Sequence, residues 1–156
     1  LIVTAAHVVE GAGRCQLAGE RGFRAIMAEK ADCDLALIDG RSVERPCLPF
    51  ARRVRVGELA VAVGCAFEVE GLSTIGIISG FASGFQVGDR MVCDVIKSDV
   101  PTARGASGGA LANMRGELIG IVVGGTQDGG LSVSIGANRV RELALGTRDV
   151  VNAWRS

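Results

Sequence analysis

Nine short stretches rich in Val, Ile and Leu run through this 156-residue chain, separated by glycine-bearing turns. They are 14–18, 22–28, 34–38, 58–66, 72–81, 91–97, 109–112, 117–124 and 131–136. The turns carry Gly11-Ala12-Gly13, Gly19 to Gly22, Asp39-Gly40, Gly88-Asp89 and Asp128-Gly129-Gly130. β-Branched and apolar residues favour strands, and Gly with Asp punctuates them. Strands this short, with no long helix alternating between them, predict an all-β fold of sandwich or closed-barrel type. Two helices are expected. One is a short turn at Ala5 to Glu10. The other is Asn138 to Leu145, with Asn138 as N-cap and Gly146 as the stop, and Thr147 to Trp154 can add a further helical stretch. Arg41 to Arg55 holds two prolines, several charges and little periodicity, so it reads as the connector between two lobes.

Composition narrows the function. The chain has 17 basic and 17 acidic residues, a balance that leaves no electrostatic footprint for nucleic acid or an anionic membrane. Arg52, Arg53 and Arg55 form the one dense basic spot, and a solvated loop accounts for it. The longest apolar run, Leu59 to Phe67, is nine residues, well short of the roughly 20 that a membrane span needs. The sequence starts inside the apolar run Leu1-Ile2-Val3 without Met, so it is expected to be a fragment or a processed chain. Cys15, Cys33, Cys47, Cys65 and Cys93 are widely and irregularly spaced, with no C-x-x-C pair. Zinc and redox motifs are therefore disfavoured, and an odd count argues against a complete disulfide framework. Cys65 and Cys93 lie in apolar stretches, where buried free thiols are expected.

The segment richest in chemistry is Gly105-Ala106-Ser107-Gly108-Gly109. Such a run can be a plain turn. It also suits a nucleophile loop, because glycines let the backbone expose a hydroxyl and turn two N–H groups toward a developing oxyanion. Gly105 and Ser107 are the expected donors. A serine needs a base, and His7 is the only histidine in the chain. The base in turn needs a carboxylate to fix its tautomer. Asp34 heads the apolar run Leu35-Ala36-Leu37-Ile38 and suits that role. Asp32, two residues earlier, competes for it. Gly-x-Ser-x-Gly also describes the nucleophile elbow of α/β-hydrolases, but that fold requires a His after the Ser, and none follows Ser107. The order His7, Asp34, Ser107 is that of the chymotrypsin type.

With Thr4-Ala5-Ala6-His7, Asp34-Leu35-Ala36-Leu37-Ile38 and Gly105-Ala106-Ser107-Gly108-Gly109 in place, the sequence resembles the trypsin-like serine peptidases. The closer resemblance is to their HtrA/DegP branch. It is carried by Val56-Gly57 through Phe67, by Ser73-Thr74-Ile75-Gly76-Ile77-Ile78-Ser79-Gly80, by Lys97-Ser98-Asp99 and by Gly116-Glu117-Leu118-Ile119-Gly120-Ile121. It extends from residue 1 to about 145. It implies two six-stranded-type antiparallel β-barrels of the chymotrypsin kind, the first incomplete at the N-terminus, followed by a short C-terminal helix. The expected divisions are 1–50, carrying His and Asp, 51–146, carrying Ser, and a tail or helix at 147–156. The implied activity is peptide-bond hydrolysis through an acyl-enzyme, with no metal or cofactor. The implied partner is an unfolded or extended polypeptide, pairing by edge addition with Ile121 to Gly125. Substrate-binding positions are Thr102, Ala103, Arg104, Val123, Gly124 and Gly125, with Pro101 and residues near Val133 to Ile135 completing the S1 pocket. No acid lies in those segments, so a small aliphatic P1 residue is expected rather than Arg or Lys. A homo-oligomer and a periplasmic or secreted location also follow from the resemblance.

Departures from the family pattern qualify these expectations. Val8 and Ala103 stand where many secreted trypsins have cysteines, which favours the HtrA-like branch. Ala106 replaces both the Asp that accepts a new N-terminal amine in zymogens and the Asn usual in the HtrA branch. Arg104 replaces a common Pro. The strands that precede the histidine in the family are missing. Exposed strand edges are avoided by folded proteins, so extra N-terminal residues and only marginal stability of this chain alone are expected. The alternative reading is a catalytically impaired protease fold acting as a binding or chaperone module.

Overall fold

The computed structural model describes residues 1–41, 43–66, 69–126 and 130–153. The first sheet takes β1 (Ile2–Ala5), β2 (Arg14–Cys15), β3 (Arg24–Lys30) and β4 (Leu35–Ile38) in the antiparallel order β1-β4-β3-β2. The uninterrupted apolar run Leu35 to Ile38 is buried at every position, as a strand covered on both faces requires. β1 was not among the nine expected strands. It is defined by a long-range partner, Ile2 opposite Ile38 and Ala5 opposite Leu35, rather than by any local turn signal. The one-turn helix α1 (Ala6–Val9) follows it directly.

Six strands then close into a barrel: β5 (Leu59–Ala66), β6 (Val69–Val87), β7 (Arg90–Ser98), β8 (Ala110–Asn113), β9 (Leu118–Gly125) and β10 (Ser132–Gly136), in the order β10-β7-β6-β5-β8-β9. Closure removes free sheet edges. β6 is much longer than the expected 72–81. Its first half pairs with β5, and its second half, past a bulge between Ile78 and Gly80, pairs with β7. The bulge lets one strand bend around the barrel wall. Gly88-Asp89 forms the expected two-residue turn, with Val87 opposite Arg90.

Of the three apolar clusters among the described residues, one lies within the first lobe (Ala6, Val9, Ala36 and Ile38) and two involve the barrel. One fills the barrel with Ala60, Ile78, Ile96, Leu111, Ile119 and Val122. The other lies between the lobes. It combines Ala5, Cys33 and Leu35 of the first lobe with Val92, Val95, Ile121, Val133 and Ile135 of the barrel and Val140 of the helix α2 (Ala137–Ala153). In the connector, 44–49 are exposed, Phe50 bridges to Leu118 and packs against this second core, and Ala51 and Val54 pack against the barrel core.

Three expectations are corrected here. Helix α2 runs from Ala137 to Ala153 without stopping at Gly146, because one interior glycine costs only about 1 kcal/mol and does not by itself end a helix. The segment expected as a tail or helix at 147–156 is helical as far as 153, and 154–156 lie outside the described residues. Cys93 is not a free thiol. It forms a disulfide with Cys33, 60 residues away, with Cα atoms 5.1 Å apart, joining the two lobes. Cys65 is exposed rather than buried, and Cys15 and Cys47 are also free.

Candidate active site

His7 and Asp34 are built into one unit. Asp34 ends the 3-10 turn Ala31–Cys33 in a left-handed conformation, with φ 50° and ψ 42°. Asp tolerates this conformation better than most residues. The conformation turns the backbone so that the Asp34 carbonyl accepts the Ala6 N–H at 2.9 Å, at the start of α1. The side chain completes the grip. Asp34 Oδ1 accepts the His7 backbone N–H at 2.9 Å, and Oδ2 lies 2.8 Å from His7 Nδ1. A carboxylate only accepts, so Nδ1 carries the imidazole proton and Nε2 is left with its lone pair. Asp34 is 2% exposed, while the His7 ring is a quarter exposed. Arg90, at the head of β7, pairs with the same Oδ2. Asp32, the competing acid, is exposed on the 3-10 turn, and among the described residues it makes no contact with His7.

The serine loop is two successive turns. Ala106 N–H donates to Ala103 C=O at 3.0 Å, and Gly109 N–H donates to Ala106 C=O at 2.9 Å. Each turn has glycine in its third position at positive φ, Gly105 at 94° and Gly108 at 86°, as a type II turn demands. These turns consume the Ala106 and Gly109 N–H groups, and Gly108 N–H goes to Val122 C=O at 2.8 Å. Among the described residues, Gly105 N–H and Ser107 N–H donate to no protein acceptor. Gly108 is also where the lobes touch. A Cβ there would fall 2.2 Å from Thr4 Oγ1 and 3.3 Å from Ala5 N. The serine loop thus abuts the strand that leads into His7. Ser107 itself is partly buried. Among the described residues its Oγ makes no hydrogen bond with His7, a contact that commonly tightens only when substrate is bound.

A cleft of about 710 Å³ opens beside Ser107. Thr102, Ala103, Arg104, Gly124 and Gly125 line it, as does Pro101. Val123 does not. The ladder passes from Val122 opposite Ser134 to Gly124 opposite Val133, so Val123 sits in a bulge. Its side chain is 1% exposed in the inter-lobe core. Val133 and Ile135 are likewise core residues, and Leu131 and Ser132 form the far wall instead. Asp99 also reaches the cleft, so the lining is not free of acids. Its Oδ1 accepts the Ile77 N–H at 2.6 Å. The edge expected at Ile121 to Gly125 is narrower, because β8 covers Ile121 and the serine loop covers Val122. Among the described residues, no strand covers Val123 to Gly125 on that side, where Val123 is buried and Gly124 and Gly125 reach the surface. Arg90, Leu131 and Ser132 had no local signal in the sequence. Only the fold brings them to the site.

Known proteins resemble this chain in sequence and fold. A family model described as a trypsin-like peptidase domain matches residues 1–121. The periplasmic pH-dependent serine endoprotease DegQ of Escherichia coli is 35% identical over 92% of this chain and 33% of its own length. The periplasmic serine endoprotease DegP of Salmonella typhimurium is 34% identical over 91% of this chain and 32% of its own. The solved HtrA-type protease AlgW with a decapeptide superposes with a TM-score of 0.78 at 28% identity, covering 94% of this chain and 48% of that one. The chain thus spans about a third of the length of DegQ and DegP and about half of the AlgW chain. With two antiparallel β lobes meeting at a His-Asp unit and a glycine-framed serine, and with relatives of this kind along nearly its whole length, the chain belongs to the trypsin-like peptidase family, on its HtrA/DegP branch.

Proposed function

We propose that the chain is the serine endopeptidase unit of its protein, cleaving peptide bonds through an acyl-enzyme with His7, Asp34 and Ser107. One observation carries this reading. Buried Asp34 holds both the backbone and the ring Nδ1 of His7, and the strand leading into His7 abuts a serine loop whose Gly105 and Ser107 N–H groups have no protein acceptor among the described residues. In this mechanism Nε2 takes the Ser107 proton as Oγ attacks the carbonyl carbon. The oxyanion accepts from the N–H groups of Gly105 and Ser107. The imidazolium, held by Asp34, then protonates the leaving amine. Water repeats the sequence on the ester and frees Ser107. His7 and Asp34 come from the 1–50 unit and Ser107 from the 51–146 unit, so the reaction takes place between lobes.

The substrate is an extended or unfolded polypeptide laid along Val123 to Gly125 by strand addition. Its P1 side chain enters the cleft walled by Thr102, Ala103, Gly124 and Leu131, which suits a small aliphatic group. A periplasmic or secreted site of action agrees with the Cys33–Cys93 disulfide, since such bonds persist in oxidising compartments.

The test is a fluorophosphonate probe together with an unfolded protein substrate. Labelling and cleavage are expected for the wild type and neither for Ser107→Ala. A folded wild type without Ser107-dependent labelling would establish the other reading, a protease fold used as a binding module. Labelling with hydrolysis of small esters but no cleavage of unfolded protein would make it an esterase.

A further inference from the structure

We infer that Arg90 is a positioning residue for the His7–Asp34 pair, an outer member of the site supplied by the β6–β7 hairpin. The inference rests on the serine-peptidase reading above. Asp34 is 2% exposed, and a buried carboxylate is costly without a countercharge. An imidazole that is to act as the base must be neutral, so it donates to Asp34 without supplying one. Arg90 does, through Nη1 on Oδ2, the same oxygen that faces His7 Nδ1. Three donors therefore converge on two oxygens: the His7 backbone N–H on Oδ1, and the imidazole Nδ1–H and the guanidinium on Oδ2. This saturates the carboxylate on the side facing the ring and fixes its rotation. A carboxylate lacking the guanidinium is free to turn toward water, and the imidazole proton is then no longer confined to Nδ1.

The hairpin is itself held in place. Arg90 follows the Gly88-Asp89 turn directly, with Val87 opposite it in the ladder. Three residues later, Cys93 is bonded to Cys33, the neighbour of Asp34. The strand that delivers the guanidinium is thus fastened to the backbone that delivers the carboxylate. Arg90 does not line the cleft beside Ser107, so its effect passes through Asp34 and not through substrate contact.

The experiment uses the full chain. Arg90→Gln is expected to lower kcat by about 10- to 100-fold, the scale known for removing groups that orient a metal-bound histidine, with KM nearly unchanged. Arg90→Lys is expected to recover part of the loss, and millimolar guanidinium is expected to rescue Arg90→Gly. His7 is the only histidine, so its ¹⁵N signals report the site without ambiguity. The wild type should hold the proton on Nδ1, and Arg90→Gln should shift it toward Nε2 or into rapid exchange. An unchanged tautomer and unchanged kcat in Arg90→Gln would overturn the inference. If Arg90→Gln does not fold, Arg90→Lys decides: a lowered kcat with the imidazole proton shifted from Nδ1 supports the inference, and either wild-type values for both or loss of activity with an unmoved tautomer overturns it. Absence of Ser107-dependent labelling in the wild type would sink the peptidase reading instead, and the tautomer measurement would still judge Arg90.

Discussion

Replacing both Cys33 and Cys93 by serine removes the covalent tie between the lobes without leaving a lone thiol. The bridge closes a loop of 60 residues. Restricting a loop of that length in the unfolded chain is worth about 4 kcal/mol at 25 °C. A chain of this length gains about 0.33 kcal/mol per kelvin of unfolding entropy at its midpoint, so the double variant should melt about 12 °C below the wild type. The assay is a circular-dichroism melt at one protein concentration and pH, run with and without dithiothreitol. Reductant should bring the wild type down to the variant's midpoint and leave the variant unmoved. A difference under about 3 °C, against the several degrees that even a 2 kcal/mol bridge gives, would refute the loop argument. So would an equal response of both proteins to reductant.

Gly108→Ala should destabilise the chain by about 1–3 kcal/mol from its backbone conformation alone, and further through contact with Thr4. Adding Thr4→Ala should recover only the second part, and a urea midpoint equal to wild type for Gly108→Ala would remove the proposed lobe contact. Arg41 holds the Asp39 carboxyl at about 2, below its ordinary 3.8, chiefly by side-chain hydrogen bonding. A carboxyl lowered in the folded state adds stability above its unfolded value and loses that contribution as pH falls through the folded one. Wild type should therefore lose stability relative to Asp39→Asn between about pH 4 and pH 2, by less than about 1 kcal/mol because Arg41 is exposed. Parallel urea midpoints for the two proteins over that range would disprove it.

Local chemistry made much of this legible in the sequence. Leu35 to Ile38 read as a buried strand because four apolar residues in a row leave no solvent face. Gly88-Asp89 read as a turn because few other pairs reverse a strand so tightly. Ser107 stood out through Gly105 and Gly108, which two consecutive turns require, and His7 through having no competitor. The features that stayed hidden depend on distance or register. Nothing near Cys33 announces a partner 60 residues on. Only the family resemblance places Val123 in the cleft, and one extra residue in the ladder turns it inward. Arg90 looked like any charge after a turn, since its target is 56 residues away.

The core shared between the lobes has a consequence for cutting the chain. Glu44 to Pro49 is an exposed run without strand or helix, the kind of segment that proteases nick first. A break there would separate His7 and Asp34 from Ser107 in sequence. Neither piece could cover the apolar surface of Ala5, Leu35, Val95 and Ile135 by itself, so the pieces would stay docked. Cys33–Cys93 would also keep them one covalent molecule until it is reduced. The fold is therefore suited to fragment complementation, in which recovered hydrolysis would count the halves that have found each other.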